Sequence, residues 1–160
     1  MSAPGRLVPT PPATLDAAGI ARRIPHAGRM CLLERLLEWS PQSIVCEATG
    51  HTAPDHPLRS ASGLLAPAAI EYAAQAMALH GALIHEAQAD PGAGPTPGFL
   101  ASVRGVQLHV PRLDTLAAPL QVQAERLAGE GSHILYRFTV SAGTQPVAEG
   151  RAAVVLNTPL

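Results

Sequence analysis

The chain has 160 residues, 47% hydrophobic and 14% charged, with a net charge of −1 when histidine is neutral. That length fits one domain, and that composition suits a packed core rather than a disordered regulator. Every basic residue is an arginine and aromatics make up 3%, so neither a basic face nor a base-stacking platform for nucleic acid is expected.

Residues 1–13 carry Pro4, Pro9, Pro11 and Pro12 and read as a flexible proline-rich arm, with a single domain over 14–160. The start of the chain lacks a basic region followed by an apolar run, so no signal peptide is expected and the reading is cytoplasmic. Thr14 or Asp16 suits the N-cap of a short helix reaching Arg23, and Pro25 stops it. MCLLERLLEWS at 30–40 is apolar with charges at Glu34, Arg35 and Glu38, and its period fits strand and helix alike. Pro41-Gln42-Ser43 reads as a turn and 44–50 as a strand, which predicts a hairpin. Residues 51–63 form a polar, proline-containing loop with His51 and His56.

Residues 66–89 are the clearest element. Pro67 suits a first helical turn, and Ala, Leu, Met and Gln favour helix. From Ala66 to His85 the only formal charge is Glu71, so the helix is apolar nearly all round and predicted buried. Glu71, Gln75 and His80 interrupt the apolar run at 64–84, so no membrane span is expected. GAGPTPG at 92–98 reads as a loop. Alternating stretches at 99–108, 120–129, 133–141 and 146–156 then read as strands. Strands that do not alternate with helices exclude a doubly wound sheet. The predicted class is α+β, with about six antiparallel strands wrapped around one long central helix.

Cys31 and Cys46 cannot build a disulfide framework, and each reads as a small buried hydrophobe. The chain has no zinc-ligand spacing, so no metal is expected.

Three stretches resemble a known family. IPHAGRMCLLERL (24–36) resembles the L-P-H-R-x-P-F-L-L-V-D-R-V opening of bacterial 3-hydroxyacyl-ACP dehydratases. IEYAAQAMA (70–78) resembles their I-E-A-M-A-Q-A helix, with Glu71 and Gln75 at the matching positions. GFLASVRGVQLHVPRLDTL (98–116) resembles their F-A-x-I-x-x-A-x-F-x-x-P-V-x-P-G-D segment. The form IEYAAQAMALHGAL followed by GFL looks most like the dehydratase-like proteins of aryl-polyene pigment clusters. The resemblance covers about residues 20–156. It implies a single-domain hot-dog fold, a dimer with sites at the subunit interface, and no cofactor. It implies an acyl carrier protein as partner, presenting the acyl chain on phosphopantetheine, with Arg22, Arg23, Arg29, Arg59, Arg104 and Arg112 as candidates for meeting it.

Glu71 is the expected catalytic acid. A carboxylate on an apolar helix is costly to bury charged, so it should be protonated, paired or facing a cavity. Gln75 lies one turn on and on the same face, where it can hold Glu71. The plainer alternative is a core carboxylate paired with an arginine. The expected base is a loop histidine. In the family it precedes the helix Glu by fourteen residues, which here is Pro57. One alignment makes His51 the base and needs extra residues before Glu71. The other matches Asp55-His56-Pro57-Leu58, deletes the His-bearing turn, and leaves His56 or no base; it fits the spacing better. At the helix start, Pro67 lacks an N–H, and Ala66, Ala68 and Ala69 are the expected donors to the thioester oxygen. His26 is read as structural, lining the cleft entrance. His80 and Tyr72 read as core, and His85, His109 and His133 as surface.

The resemblance therefore implies dehydration of 3-hydroxyacyl thioesters on acyl carrier protein to trans-2-enoyl thioesters. The missing His turn raises an alternative: a non-catalytic or half-site subunit that pairs with a second hot-dog chain rather than with its own copy. Acyl-thioester hydrolysis is a further alternative on the same fold.

Overall fold

The computed structural model describes residues 11–88, 98–130 and 132–156. Most of the expected arm, and all of the expected 92–98 loop but Gly98, lie outside them.

Asp16 caps α1 (Ala17–Ala21) by accepting the Gly19 N–H at 2.8 Å, as its side-chain chemistry predicts. A short 3-10 turn at Gly28–Met30 follows. The ambiguous 30–40 stretch resolves into β1 (Arg35–Trp39), which pairs antiparallel with β2 (Ser43–Ala48). Leu15 bridges to Leu36, and the Trp39 indole donates to the Pro12 carbonyl at 3.0 Å, so the chain before α1 lies along β1. The long helix α2 spans Ala68–Ala87. The strands β3 (Gly98–Leu108), β4 (Leu120–Glu130), β5 (His133–Ala142) and β6 (Gln145–Leu156) complete one six-stranded sheet in the order β1-β2-β4-β5-β6-β3.

Every pairing in the sheet is antiparallel, and alternation decides its faces. Ile134, Tyr136, Phe138, Val140 and Ala142 of β5 point inward, beside Leu120, Val122 and Ala124 of β4. They pack with Tyr72, Ala73, Ala76, Leu79 and Leu83 of α2 in one core. Each fully buried Leu or Phe there stabilises by roughly 1.5–3 kcal/mol. Cys46 lies in this core, and burial pushes its thiol up to about 12.

One expectation needs correction. The helix is apolar nearly all round, yet the sheet covers only part of it. Ile70, Glu71, Ala74, Ala78, Gly81, Ala82 and His85 form a half-exposed stripe. A single curved sheet reaches around the inward faces of the helix and leaves this one open. The edge strand β3 is open too, with Phe99 57% and Leu108 42% exposed. No helix among the described residues is long and apolar enough to cross a membrane.

Candidate active site

Glu71 sits in the first turn of α2, on the open stripe, with its side chain 34% exposed. Its Oε1 lies 3.0 Å from Nε2 of His26 and 3.3 Å from Nε2 of Gln75. Pro25 ends the α1 region, and the chain then passes across the start of α2, which brings His26 to Glu71. Gln75 holds that crossing in place. Its amide donates to the Met30 carbonyl at 2.6 Å and accepts from the Leu32 N–H at 2.8 Å. Gln75 is fully buried, so it positions Glu71 and the 30–32 segment rather than meeting solvent or ligand. His26 Nδ1 is buried without a hydrogen-bond partner. When Glu71 is ionised and His26 neutral, Nε2 carries the shared proton and Nδ1 keeps a bare lone pair.

The loop histidines face elsewhere. His56 Nδ1 accepts from the Leu58 N–H at 3.1 Å, which leaves the proton on Nε2, 2.9 Å from the Tyr72 hydroxyl. Burial, with help from nearby His51 and Arg29, lowers its pKa from the ordinary value, against a smaller raising effect of Asp55. His51 is 1% exposed and donates from Nε2 to the Leu116 carbonyl at 2.8 Å, with Nδ1 buried and unpartnered. Both histidines staple the 50–58 loop to the domain, and neither is bonded to Glu71.

The helix start differs from expectation in the same way. The Ala66 N–H donates to Pro111 O at 3.1 Å. Those of Ala68 and Ala69 donate to Leu65 O and Ala66 O, each at 3.0 Å. A tight i→i+3 turn ahead of α2 satisfies the N–H groups that a helix start ordinarily leaves open. None of the three is left for a thioester oxygen.

Sequence reasoning did not single out two carboxylates that shape the surroundings. Glu34 gathers the Thr49 N–H, the Thr49 hydroxyl and the Gly50 N–H, and so shapes the turn that carries His51. Asp114 is bound by Arg112 at 2.5 Å and Arg59 at 3.3 Å, and accepts the Leu64 N–H at 3.1 Å. The Arg112 guanidinium holds the Asp114 carboxyl well below the usual carboxylate range. Gly63 fits under this clip with φ +98°. The cue was present in sequence as Arg112-Leu-Asp114, but nothing local says that it folds onto the α2 start.

A cavity of about 410 Å³ runs along the open stripe of α2. Ala74, Ala78 and Ala82 line it from the helix, and Ile24 and Pro25 line it beside His26. Neither Glu71 nor His26 lines it, but Ala74 follows Glu71 by three residues on the helix and Pro25 precedes His26 in the chain. Small residues at helical spacing make the room, since larger ones would fill it.

The remaining histidines and arginines take their places. His80 is fully buried, donating to Ser40 O at 2.7 Å and bonded to the Tyr136 hydroxyl at 2.8 Å. His109 is 3.6 Å from Glu149. Arg23 pairs with Glu86 and Arg29 with Asp55, while Arg22 and Arg104 are exposed.

One antiparallel sheet wrapped on a long helix, with a carboxylate in the first helical turn, defines a hot-dog protein. The family model of the ApeP-like dehydratases matches residues 18–159, and the chain belongs to that family. Among solved structures, it is similar to the dehydratase heterocomplex ApeI:P from Xenorhabdus doucetiae, with 22% identity, TM-score 0.76, and coverage of 87% of this chain and 91% of that one. It is similar also to the uncharacterised protein PH1136 from Pyrococcus horikoshii, with 13% identity, TM-score 0.58, and coverage of 86% and 92%. A hypothetical thioesterase with coenzyme A from Streptococcus pneumoniae shares 7% identity at TM-score 0.53, over 76% of this chain and 84% of that one. These structures establish the hot-dog fold. No curated protein matches the chain.

Proposed function

We propose that this chain takes part in dehydrating 3-hydroxyacyl thioesters of acyl carrier protein to trans-2-enoyl thioesters, with Glu71 as the acid. The observation that carries this is Glu71 itself, held by Gln75 and His26, three residues along the helix from Ala74, which lines a cavity offered to an acyl chain. His26 takes the role expected of His56 or His51, because those two are engaged in internal hydrogen bonds.

The elimination balances on this pair. Neutral His26, as its Nδ1–H tautomer, removes a proton from C2 of the acyl chain through Nε2, the nitrogen that faces Glu71. The C2–C3 double bond forms as the C3–O bond breaks. Protonated Glu71 gives its proton to the departing hydroxyl, which leaves as water. The direct contact then returns the proton from His26 to Glu71, and no redox cofactor is needed. Pantetheine places the thioester at the mouth, and the alanine-lined cavity takes the chain.

A half-site role is the second reading, and two observations favour it. The loop that should carry a base is stapled shut by its own histidines. The β3 edge and the α2 stripe stay open, which leaves room for a second hot-dog subunit, its own copy included. The similar heterocomplex supports this arrangement.

The test is a dehydration assay with 3-hydroxyacyl-ACP, followed by mass loss of water, on the chain alone and with a second hot-dog subunit. Turnover by the chain alone that is lost in Glu71→Gln supports the self-sufficient site. Turnover only with the partner, still lost in Glu71→Gln, supports the half-site. Full activity in Glu71→Gln overturns both, and release of free thiol reveals hydrolysis instead.

A further inference from the structure

The far end of the cavity is not apolar. Arg126 of β4 lines it there, with Tyr136, Ile84 and Gln88. Beyond lies a second cavity of about 320 Å³, lined by Pro41, Gln42 and Leu127. Ile84, Gln88 and Arg126 belong to both. Arg126 therefore stands at the junction between the two.

Its placement is built by its neighbours. A β-bulge falls between Arg126 and Ala128, which turns the strand at this point. The guanidinium lies over Gly129: a Cβ there would come 2.7 Å from Nη2 and 3.2 Å from Cζ. A Cβ there would push the guanidinium aside. Among the described residues, no ion pair involves Arg126. Next to it, the Tyr136 hydroxyl has one defined partner. His80 donates from Nε2 to Ser40 O, so its Nδ1 accepts the tyrosine proton and the tyrosine oxygen keeps its lone pairs.

We infer that Arg126 is a specificity-determining residue: it ends the acyl cavity and selects chains whose far end carries a hydrogen-bonding polar group. From Glu71 to His85 the helix rises about 21 Å, and this sets the chain length that reaches Arg126. A methyl-ended chain that long strips water from an unpaired guanidinium and returns nothing. A terminal hydroxyl accepts from Arg126 and so repays that lost water. Removing the guanidinium joins the two cavities and admits longer apolar chains.

This rests on the proposed acyl-thioester reading, and the experiment separates the two. The chain, with its partner subunit where turnover needs one, is given pantetheine thioesters of 3-hydroxydecanoate and 3-hydroxytetradecanoate, and the ω-hydroxylated forms of each. Relative kcat/KM is read for the native protein, Arg126→Leu, Arg126→Lys and Gly129→Ala. The native protein should prefer the ω-hydroxylated chain by about tenfold at the longer length. Arg126→Leu should reverse that preference, Arg126→Lys should keep part of it, and Gly129→Ala should weaken it by displacing the guanidinium. Thermal melting confirms that each variant is folded. An unchanged preference in Arg126→Leu, with turnover intact, overturns the inference and leaves the proposed function standing. Should Arg126→Leu fail to fold, Gly129→Ala and Arg126→Lys decide it. No turnover of any thioester, alone or with the partner, sinks both.

Discussion

His26 Nε2 lies 3.0 Å from Glu71 Oε1, although the two residues come from opposite sides of the β1–β2 hairpin in sequence. Gln75 makes that meeting possible by tying Met30 and Leu32 to the same face of α2. The geometry of the Glu71–His26 pair therefore depends on a buried amide as much as on the pair itself.

Glu71→Gln keeps the size and the hydrogen bonds of the side chain but cannot give up a proton as an acid does. Because Glu71 is partly exposed, the fold should survive. Single-turnover dehydration should fall by about 10²–10⁴. His26→Ala should cost a similar factor, whereas His51→Ala should act through stability. Equal loss of chemistry in a fully folded His51→Ala would return the base to the loop.

Gln75→Leu removes an amide that satisfies the Leu32 N–H and the Met30 carbonyl in a buried place. The orphaned groups should cost about 2–4 kcal/mol in unfolding free energy. Chemical denaturation reads this directly, and a midpoint equal to that of the native chain would contradict it.

Acid should destabilise the chain through its buried histidines. Burial lowers the pKa of His56 and of His80 below the ordinary 6.5. Below that value the unfolded chain takes up protons that the folded chain refuses. Stability from these groups is therefore complete above pH 6.5 and is lost as pH falls through the window down to their folded values. Urea midpoints should drop between pH 7.5 and 5.5. His80→Gln should flatten that slope, and a slope unchanged by it would point to other groups.

Gly63→Ala should destabilise by about 1–3 kcal/mol, because φ +98° is strained for any other residue. The new Cβ would also come 2.8 Å from Arg112 Cζ and 2.9 Å from Asp114 Oδ2. The clip holds the turn ahead of α2, so kcat should fall along with the melting temperature. A variant with native stability would show that the turn relaxes freely.

Much of this protein is legible from local pattern. Asp16 announces its cap, the 66–89 stretch announces a helix, and four alternating stretches announce strands, because capping and periodicity are encoded within a few residues. Glu71 stands out for the same reason: it is the only formal charge between Ala66 and His85. His26 is visible in Ile-Pro-His, but its contact with Glu71 is not, since spacing along the chain does not report who meets whom across a hairpin.

What the tertiary structure decided is which polar groups remain available. His51, His56 and the N–H groups of Ala66, Ala68 and Ala69 all have the right chemistry in sequence. In the fold each is bonded to a partner distant in sequence or in the preceding turn. Which face of α2 stays open was likewise beyond the sequence, because apolar residues surround the helix and only the sheet's reach selects one stripe. Residue type and period set the elements and their chemistry by themselves. Long-range hydrogen bonding and packing then use up some of that chemistry and leave Glu71 with His26.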